Sequence, residues 1–196
     1  MAPYLQTVKS FADVPITKAG VDTLAFLEAS NGLVGLFNLL GSAAFTPVQN
    51  DLKGNIMKVR ARSYGIAPDK SATLEELVKN EQGEKNRTVT EGLVWLLRGQ
   101  SFTSNQNEEL SVAFTKGYDS TLRKYHNFVV KGIYGIAMNA CPCRKDFSEK
   151  LAADPAGGPA VPQAKVNGDL TKRLNSLDGI VKRMEVFYEK GGYGKV

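Results

Sequence analysis

Histidine and tryptophan each occur once in these 196 residues, and cysteine only twice. The lone His126 has no Asp, Glu or Cys beside it at ligand spacing, so no metal site is expected. Cys141 and Cys143 flank Pro142 and make a poor disulfide framework, which points to free thiols in a reducing compartment. Also missing are a Gly-x-Ser-x-Gly elbow, a phosphate-binding loop and a His-Glu-x-x-His pair. Catalysis and cofactor binding therefore have little foothold, and the chain reads as no enzyme. Long apolar runs are absent too. The most apolar stretch, Leu33 to Phe45, is interrupted by Gly35, Asn38, Gly41 and Ser42 and is too short to span a bilayer. Met1-Ala2-Pro3-Tyr4 has neither the basic nor the apolar region of a signal peptide, so the cytosol is the expected compartment.

Charge is modest. Twenty-five basic against 20 acidic residues give a net +5, and the densest basic cluster is only Lys58-Val59-Arg60-Ala61-Arg62. Nucleic-acid binders concentrate their cations on one face or in a tract, so no nucleic-acid partner is expected. The same mild excess suits transient contact with an anionic membrane, where each Lys or Arg contributes about 1 kcal/mol. With 42% hydrophobic and 23% charged residues, the composition is that of a globular chain, and the length fits one domain over residues 1–196.

What is present is helical periodicity almost throughout, which predicts an all-α fold. Val21 to Glu28 and Gly32 to Leu40 read as two successive helices. Thr46-Pro47-Val48-Gln49 reads as a helix start with Thr46 as cap, Pro47 at the first turn and Gln49 as capping-box partner. That helix should run to about Arg62, before Gly65 and Pro68. Further helices are expected from Ser71–Leu74 to Asn80, over Thr88 to Phe102, from Asn107 to Ala140 with Pro142 as stop, near Arg144 to Ala152, and over Leu170 to Glu189. Asp154 to Gly168 reads as a loop and Gly191 to Val196 as a flexible tail.

Asp51, Asn55 and Lys58 fall at i, i+4 and i+7, so they project from one helix face. A carboxylate, an amide and an ammonium on one stripe can accept and donate several directed hydrogen bonds, as hydroxyls and an amide would require. The same stripe also suits a solvated face. Trp95, in Leu93-Val94-Trp95-Leu96-Leu97-Arg98, suits either a core or a flat platform for the C–H face of a sugar. His126, in Lys124-Tyr125-His126-Asn127-Phe128, suits either an ordinary satisfied imidazole or a site residue.

Three stretches taken together resemble one family. Phe45-Thr46-Pro47-Val48-Gln49-Asn50-Asp51-Leu52-Lys53-Gly54-Asn55-Ile56-Met57-Lys58 resembles the signature helix of the glycolipid transfer protein family. Leu93 to Gly99 resembles its tryptophan helix, and Lys124-Tyr125-His126, with Pro142 and Asp146-Phe147, its histidine helix. Weaker similarity runs through Phe26-Leu27-Glu28-Ala29 and on to Lys195-Val196, so the likeness covers nearly the whole chain.

The resemblance implies a two-layer sandwich of about eight α-helices enclosing a lipid chamber. It implies that Asp51 and Asn55 bond the first sugar, Lys58 contacts sugar oxygens and Trp95 stacks under the ring. His126 would bond the ceramide carbonyl, and Asp51 would also reach the amide N–H. Phe37, Phe45, Phe102, Tyr134, Met138 and Phe147 would line the chamber, where Met and aromatic side chains suit an adaptable cavity. Tyr193 would correspond to a tyrosine that closes over the site, although it stands one residue further from the C-terminus. Phe128 takes the place of a tryptophan with which animal members dock on bilayers, and it lacks the indole N–H that favours the interface.

The implied function is carriage of a neutral glycosphingolipid between membranes without chemical change. A sister branch carrying ceramide phosphate places basic residues where this chain has Asn55 and Trp95, and neither an amide nor an indole neutralises a phosphate. The alternatives are a ceramide-phosphate carrier, or a glycolipid sensor or scaffold acting through an unidentified protein partner.

Overall fold

The computed structural model describes residues 2–66, 70–101 and 108–196. Met1, Pro68, Phe102 and Asn107, which enter the readings above, lie outside them. Nine α-helices form among the described residues: α1 (Tyr4–Thr7), α2 (Thr23–Leu39), α3 (Thr46–Gly65), α4 (Leu74–Asn80), α5 (Thr88–Ser101), α6 (Leu110–Thr121), α7 (Phe128–Asn139), α8 (Arg144–Ala152) and α9 (Gln163–Gly191). Extended pairing among them is limited to two isolated bridges, Ile16 with Val21 and Asp22 with Thr73.

Several boundaries differ from the sequence-based expectation, each for a local reason. The two helices expected between Val21 and Leu40 are one, α2, whose first turn is capped by Asp22 accepting from the Ala25 N–H at 2.8 Å. Its glycines do not break it, because α1 packs against them. Tyr4 donates to the Gly32 carbonyl at 2.7 Å, and a Cβ on Gly35 would stand 1.9 Å from the Tyr4 hydroxyl, so only glycine admits that approach.

The expected capping box at Thr46 does not form. A 3-10 turn over Ala43–Phe45 runs straight into α3, and Thr46 is already helical. Gln49 instead donates to Asn38 Oδ1 at 2.7 Å and to the Val34 carbonyl at 3.3 Å, which pins α3 to α2. The capping box lies one helix later, where Thr73 and Glu76 exchange bonds at 3.0 and 3.2 Å at the start of α4.

The long segment expected up to Ala140 is broken at His126, whose backbone is extended (φ −91°, ψ 141°). Asn127 then caps α7 by accepting from the Val130 N–H at 3.0 Å. The expected loop before Leu170 is also shorter. Pro162, with its φ near the helical value, starts α9 at Gln163, and buried Val166 anchors that added turn.

The helices stack in two layers. α3 and α8 pack on α2, the turn before α3 rests on α7, and α4, α6 and α9 pack on α5. Contacts of α3 with α5, α6 with α7 and α8 with α9 close the sandwich. The α3–α5 contact is tight because Gly99 carries no side chain: a Cβ there would lie 2.8 Å from Leu52 Cδ2. Phe26, Phe45, Leu52, Leu93, Leu97 and Tyr188 are fully buried between the layers. No helix among the described residues is long and apolar enough to cross a membrane.

Candidate functional site

Asp51, Asn55 and Lys58 do share a face of α3, and that face looks across at α5. Asn55 is 3% exposed, and its Nδ2 donates to the Asp51 carbonyl at 3.1 Å. Lys58 Nζ donates to Asn55 Oδ1 at 3.2 Å. Gly92 on α5 faces these side chains, and a Cβ there would meet Lys58 Cδ at 3.4 Å and Asn55 Oδ1 at 3.7 Å, an ordinary contact. One turn further along α5, half-buried Trp95 brings its ring parallel to His126, with centroids 5.5 Å apart and planes at 15°.

The non-helical turn between α6 and α7 is what delivers His126 here. Its ring is also bounded by Tyr134 of α7 at 4.9 Å and by Tyr118 of α6, whose hydroxyl lies 3.1 Å from His126 Nδ1. These five polar and aromatic residues, with Pro47, Val130, Ile133 and Tyr134, line one cleft of about 380 Å³.

The cleft shifts its ionisable groups in opposite senses. Loss of water around the Asp51 carboxyl raises its pKa above the ordinary value, although Lys58 and Asn55 pull it back. The side chain nonetheless stays exposed at the cleft, where it is open to accept bonds from ligand hydroxyls. Burial, aided by Lys131, lowers the His126 pKa below the ordinary 6.5. The fold thus disfavours the imidazolium, and the sign for stability follows. As pH falls through about 6.5, the unfolded chain takes up this proton first, so stability declines until the folded imidazole also protonates. Replacement of His126 by Gln is expected to flatten that part of the Tm-against-pH curve between pH 5 and 7.5. Parallel thermal melts of both proteins check this, and curves of identical shape would count against it.

A second cavity, which shares no lining residue with the cleft, is apolar apart from Arg144. Phe37 and Phe147 line this slot of only about 50 Å³ together with Phe114 and leucines of α2, α6 and α9. Phe45 contacts Phe37 at 5.7 Å and Phe114 at 6.5 Å, and Met138 is buried at 3% exposure. A dry apolar cavity of about 150 Å³ accommodates one benzene ring, so this slot takes hydrocarbon only if its walls part. Tyr134 differs from the chamber role expected of it, because it borders the polar cleft. Phe102 lies outside the described residues.

Tyr193 is not among the residues lining the cleft. It borders a neighbouring depression that shares Trp95, stacks on Phe187 at 5.1 Å and donates to Gln82 Oε1 at 3.4 Å. The tail that carries it is thereby folded onto the protein. The backbone turns left-handed at Gly192, and the Lys195 carbonyl accepts from Arg98. The Arg98 guanidinium sits 5.3 Å from the Trp95 ring and 3.5 Å from that of Tyr125, which meets the indole edge-on at 6.0 Å. Phe128 stands 89% exposed at the start of α7, beside Val129 at 66%.

Sequence reasoning missed Arg98, Phe114 and Tyr118. Phe114 meets Phe37 and Phe45 across the fold, Tyr118 meets His126 where α6 gives way to α7, and Arg98, one turn from Trp95, is held by the tail. Gly99 on α5 is a readable sign of close helix packing.

Fold and site together define a helical binding protein with a polar cleft and a separate apolar slot. The Glycolipid transfer protein (GLTP) family model matches residues 21–153. A glycolipid transfer protein of Aureobasidium melanogenum is 45% identical over 193 residues, covering 94% of this chain and 92% of that protein. The crystal structure of HET-C2, a fungal glycolipid transfer protein, superposes with a TM-score of 0.85 at 41% identity, covering 95% of this chain and 96% of that one. FAPP2, described as selecting simple glycosphingolipids with the GLTP fold, superposes with a TM-score of 0.81 at 27% identity over 98% of both chains. The chain belongs to the glycolipid transfer protein family.

Proposed function

We propose that this protein binds a neutral glycosphingolipid and moves it between membranes without altering it chemically. The observation that carries the reading is the convergence of Asp51, Asn55, Lys58, Trp95 and His126 on one cleft of a fold that also holds a separate apolar slot. In this reading the Asp51 carboxylate and the Asn55 amide bond the first sugar, Lys58 reaches its outer oxygens and Trp95 lies beneath the ring. His126 meets the amide region below. The two hydrocarbon chains then occupy the space that opens around Phe37, Phe147 and Met138.

The physical need for a carrier is large. Burial of one CH₂ stabilises a lipid by about 0.8 kcal/mol, so two chains with about thirty such groups resist entering water by roughly 20 kcal/mol or more. An apolar protein interior replaces the bilayer and removes most of that barrier, with no covalent step. The exposed Phe128 and Val129, near Arg123, Lys124 and Lys131, supply an apolar tip and positive charge for transient contact with a membrane. Residence in the cytosol, and service as a carrier rather than as a sensor acting through a partner, belong to the same proposal.

A neutral head group is favoured over a phosphate by what lines the cleft. Lys58 is its cation, and the Asp51 carboxylate stands close enough to oppose a second anion. Transfer between vesicles of a monohexosyl ceramide and a ceramide phosphate with matched chains tests this directly. The sugar-bearing lipid is expected to move, and to be recovered unaltered by mass spectrometry. In the double variant Asn55→Lys with Trp95→Arg, the preference for sugar over phosphate is expected to fall by about tenfold or more, from charge-assisted bonds of about 1.5–3 kcal/mol. An unchanged preference would refute this account of selectivity.

A further inference from the structure

His126 can face a ligand in two chemically opposite ways, and its surroundings choose between them. A neutral imidazole carries one N–H and one lone pair. If Nε2 bears the proton, the ring offers a donor, suited to a carbonyl; if Nδ1 bears it, the ring offers a lone pair, suited to an N–H or O–H. The low pKa of His126 keeps the neutral ring in play near pH 7. The ring plane is held by Trp95 on one helix and Tyr134 on another. Nδ1 is directed at the Tyr118 hydroxyl, 3.1 Å away. Tyr118 is itself held, at 5% exposure and stacked on Tyr134 with centroids 4.8 Å apart and planes at 15°.

A phenol has one proton to give. Were Nδ1 to donate to Tyr118, that buried phenolic proton would lose its acceptor, which burial makes unfavourable. With Tyr118 donating, the phenolic proton and the Nδ1 lone pair are both satisfied, and Nε2–H is left for a ligand.

We propose that Tyr118 is a positioning residue: by donating to Nδ1 it sets His126 as an Nε2–H donor and so selects ligands that carry a carbonyl acceptor, such as an N-acyl linkage, below the head group. The ligand half of this proposal rests on the glycolipid reading above, and the tautomer half does not. The chain's single histidine makes the test unambiguous, because the imidazole ¹⁵N resonances belong to His126 alone.

In long-range ¹H–¹⁵N spectra near pH 7.5, the wild-type protein is expected to show a pyridine-like Nδ1 and a pyrrole-like Nε2. Tyr118→Phe, which keeps the ring and its stack, should move both resonances toward averaged values. The same variant should transfer an N-acyl monohexosyl lipid about tenfold more slowly. With an analogue whose second chain is N-alkyl, acetylated nowhere and lacking any carbonyl, wild type and variant should transfer equally slowly. A protonated Nδ1 in the wild type, or resonances unmoved by Tyr118→Phe, overturns the proposal. So does an equal loss with both lipids, which would mark Tyr118 as merely structural. If no lipid moves at all while the tautomer behaves as stated, it is the glycolipid reading that fails.

Discussion

Asp51→Val is expected to reduce glycolipid transfer by about a hundredfold or more while leaving the helical circular dichroism unchanged. The carboxylate can accept at least two bonds from ligand hydroxyl and amide groups, each charge-assisted and contributing about 1.5–3 kcal/mol. Valine offers none, and a ligand hydroxyl brought against it would be left unpaired. Stability should move the other way. The folded protein raises the Asp51 pKa above its ordinary 3.8, so the fold disfavours the charged form. Its contribution is favourable below that pH and is lost as pH rises through the folded pKa. At neutral pH the valine variant should therefore melt no lower than the wild type. A vesicle transfer assay beside a thermal melt reads both quantities. Undiminished transfer would remove Asp51 from the site, whereas loss of transfer with a collapsed Tm would mean that it serves the fold.

Trp95→Ala is the second large effect, expected at about 30- to 100-fold in transfer with a modest fall in Tm. The indole is the broadest flat surface in the cleft, and its parallel stack with His126 and edge contact with Tyr125 at 6.0 Å tie α5 to the break before α7. Aromatic pairs of this kind contribute about 0.5–1.5 kcal/mol each beyond their buried area. Alanine removes the platform beneath a sugar and frees the His126 ring at once. Trp95→Phe keeps a ring of smaller area and should retain an intermediate rate. The transfer assay with all three proteins separates platform from packing. If phenylalanine and alanine are equally damaging, the indole N–H or the full indole width matters more than a flat face.

Much of this was legible in the order of residues, for a reason that particular elements make plain. Asp51, Asn55 and Lys58 lie within one helix, where i, i+4 and i+7 positions share a face whatever the rest of the chain does. The α8 boundaries, Arg144–Ala152, and the start of α4 within Ser71–Leu74 were similarly local, set by a cap and a few apolar positions. The resemblance of three spaced stretches to one family added Trp95 and His126 to the same site, which helical periodicity alone left open between core and function.

The rest depended on contacts between segments far apart in sequence. Gln49 looked like a capping partner until α2 was present to receive its amide. The tail looked free until Arg98, 97 residues earlier, bonded the Lys195 carbonyl. The continuous helix expected across His126 breaks where Asn127 caps α7, and that break turns a histidine in the sequence into one facing the cleft. Tyr118 became its partner only through the packing of α6 on α7. Local residue order thus determined which side chains share a helix face and therefore the hydrogen-bonding character of the site. Tertiary packing alone decided how far the apolar slot opens, how the imidazole is oriented and what meets the indole, because those depend on through-space distances that no spacing along the chain encodes.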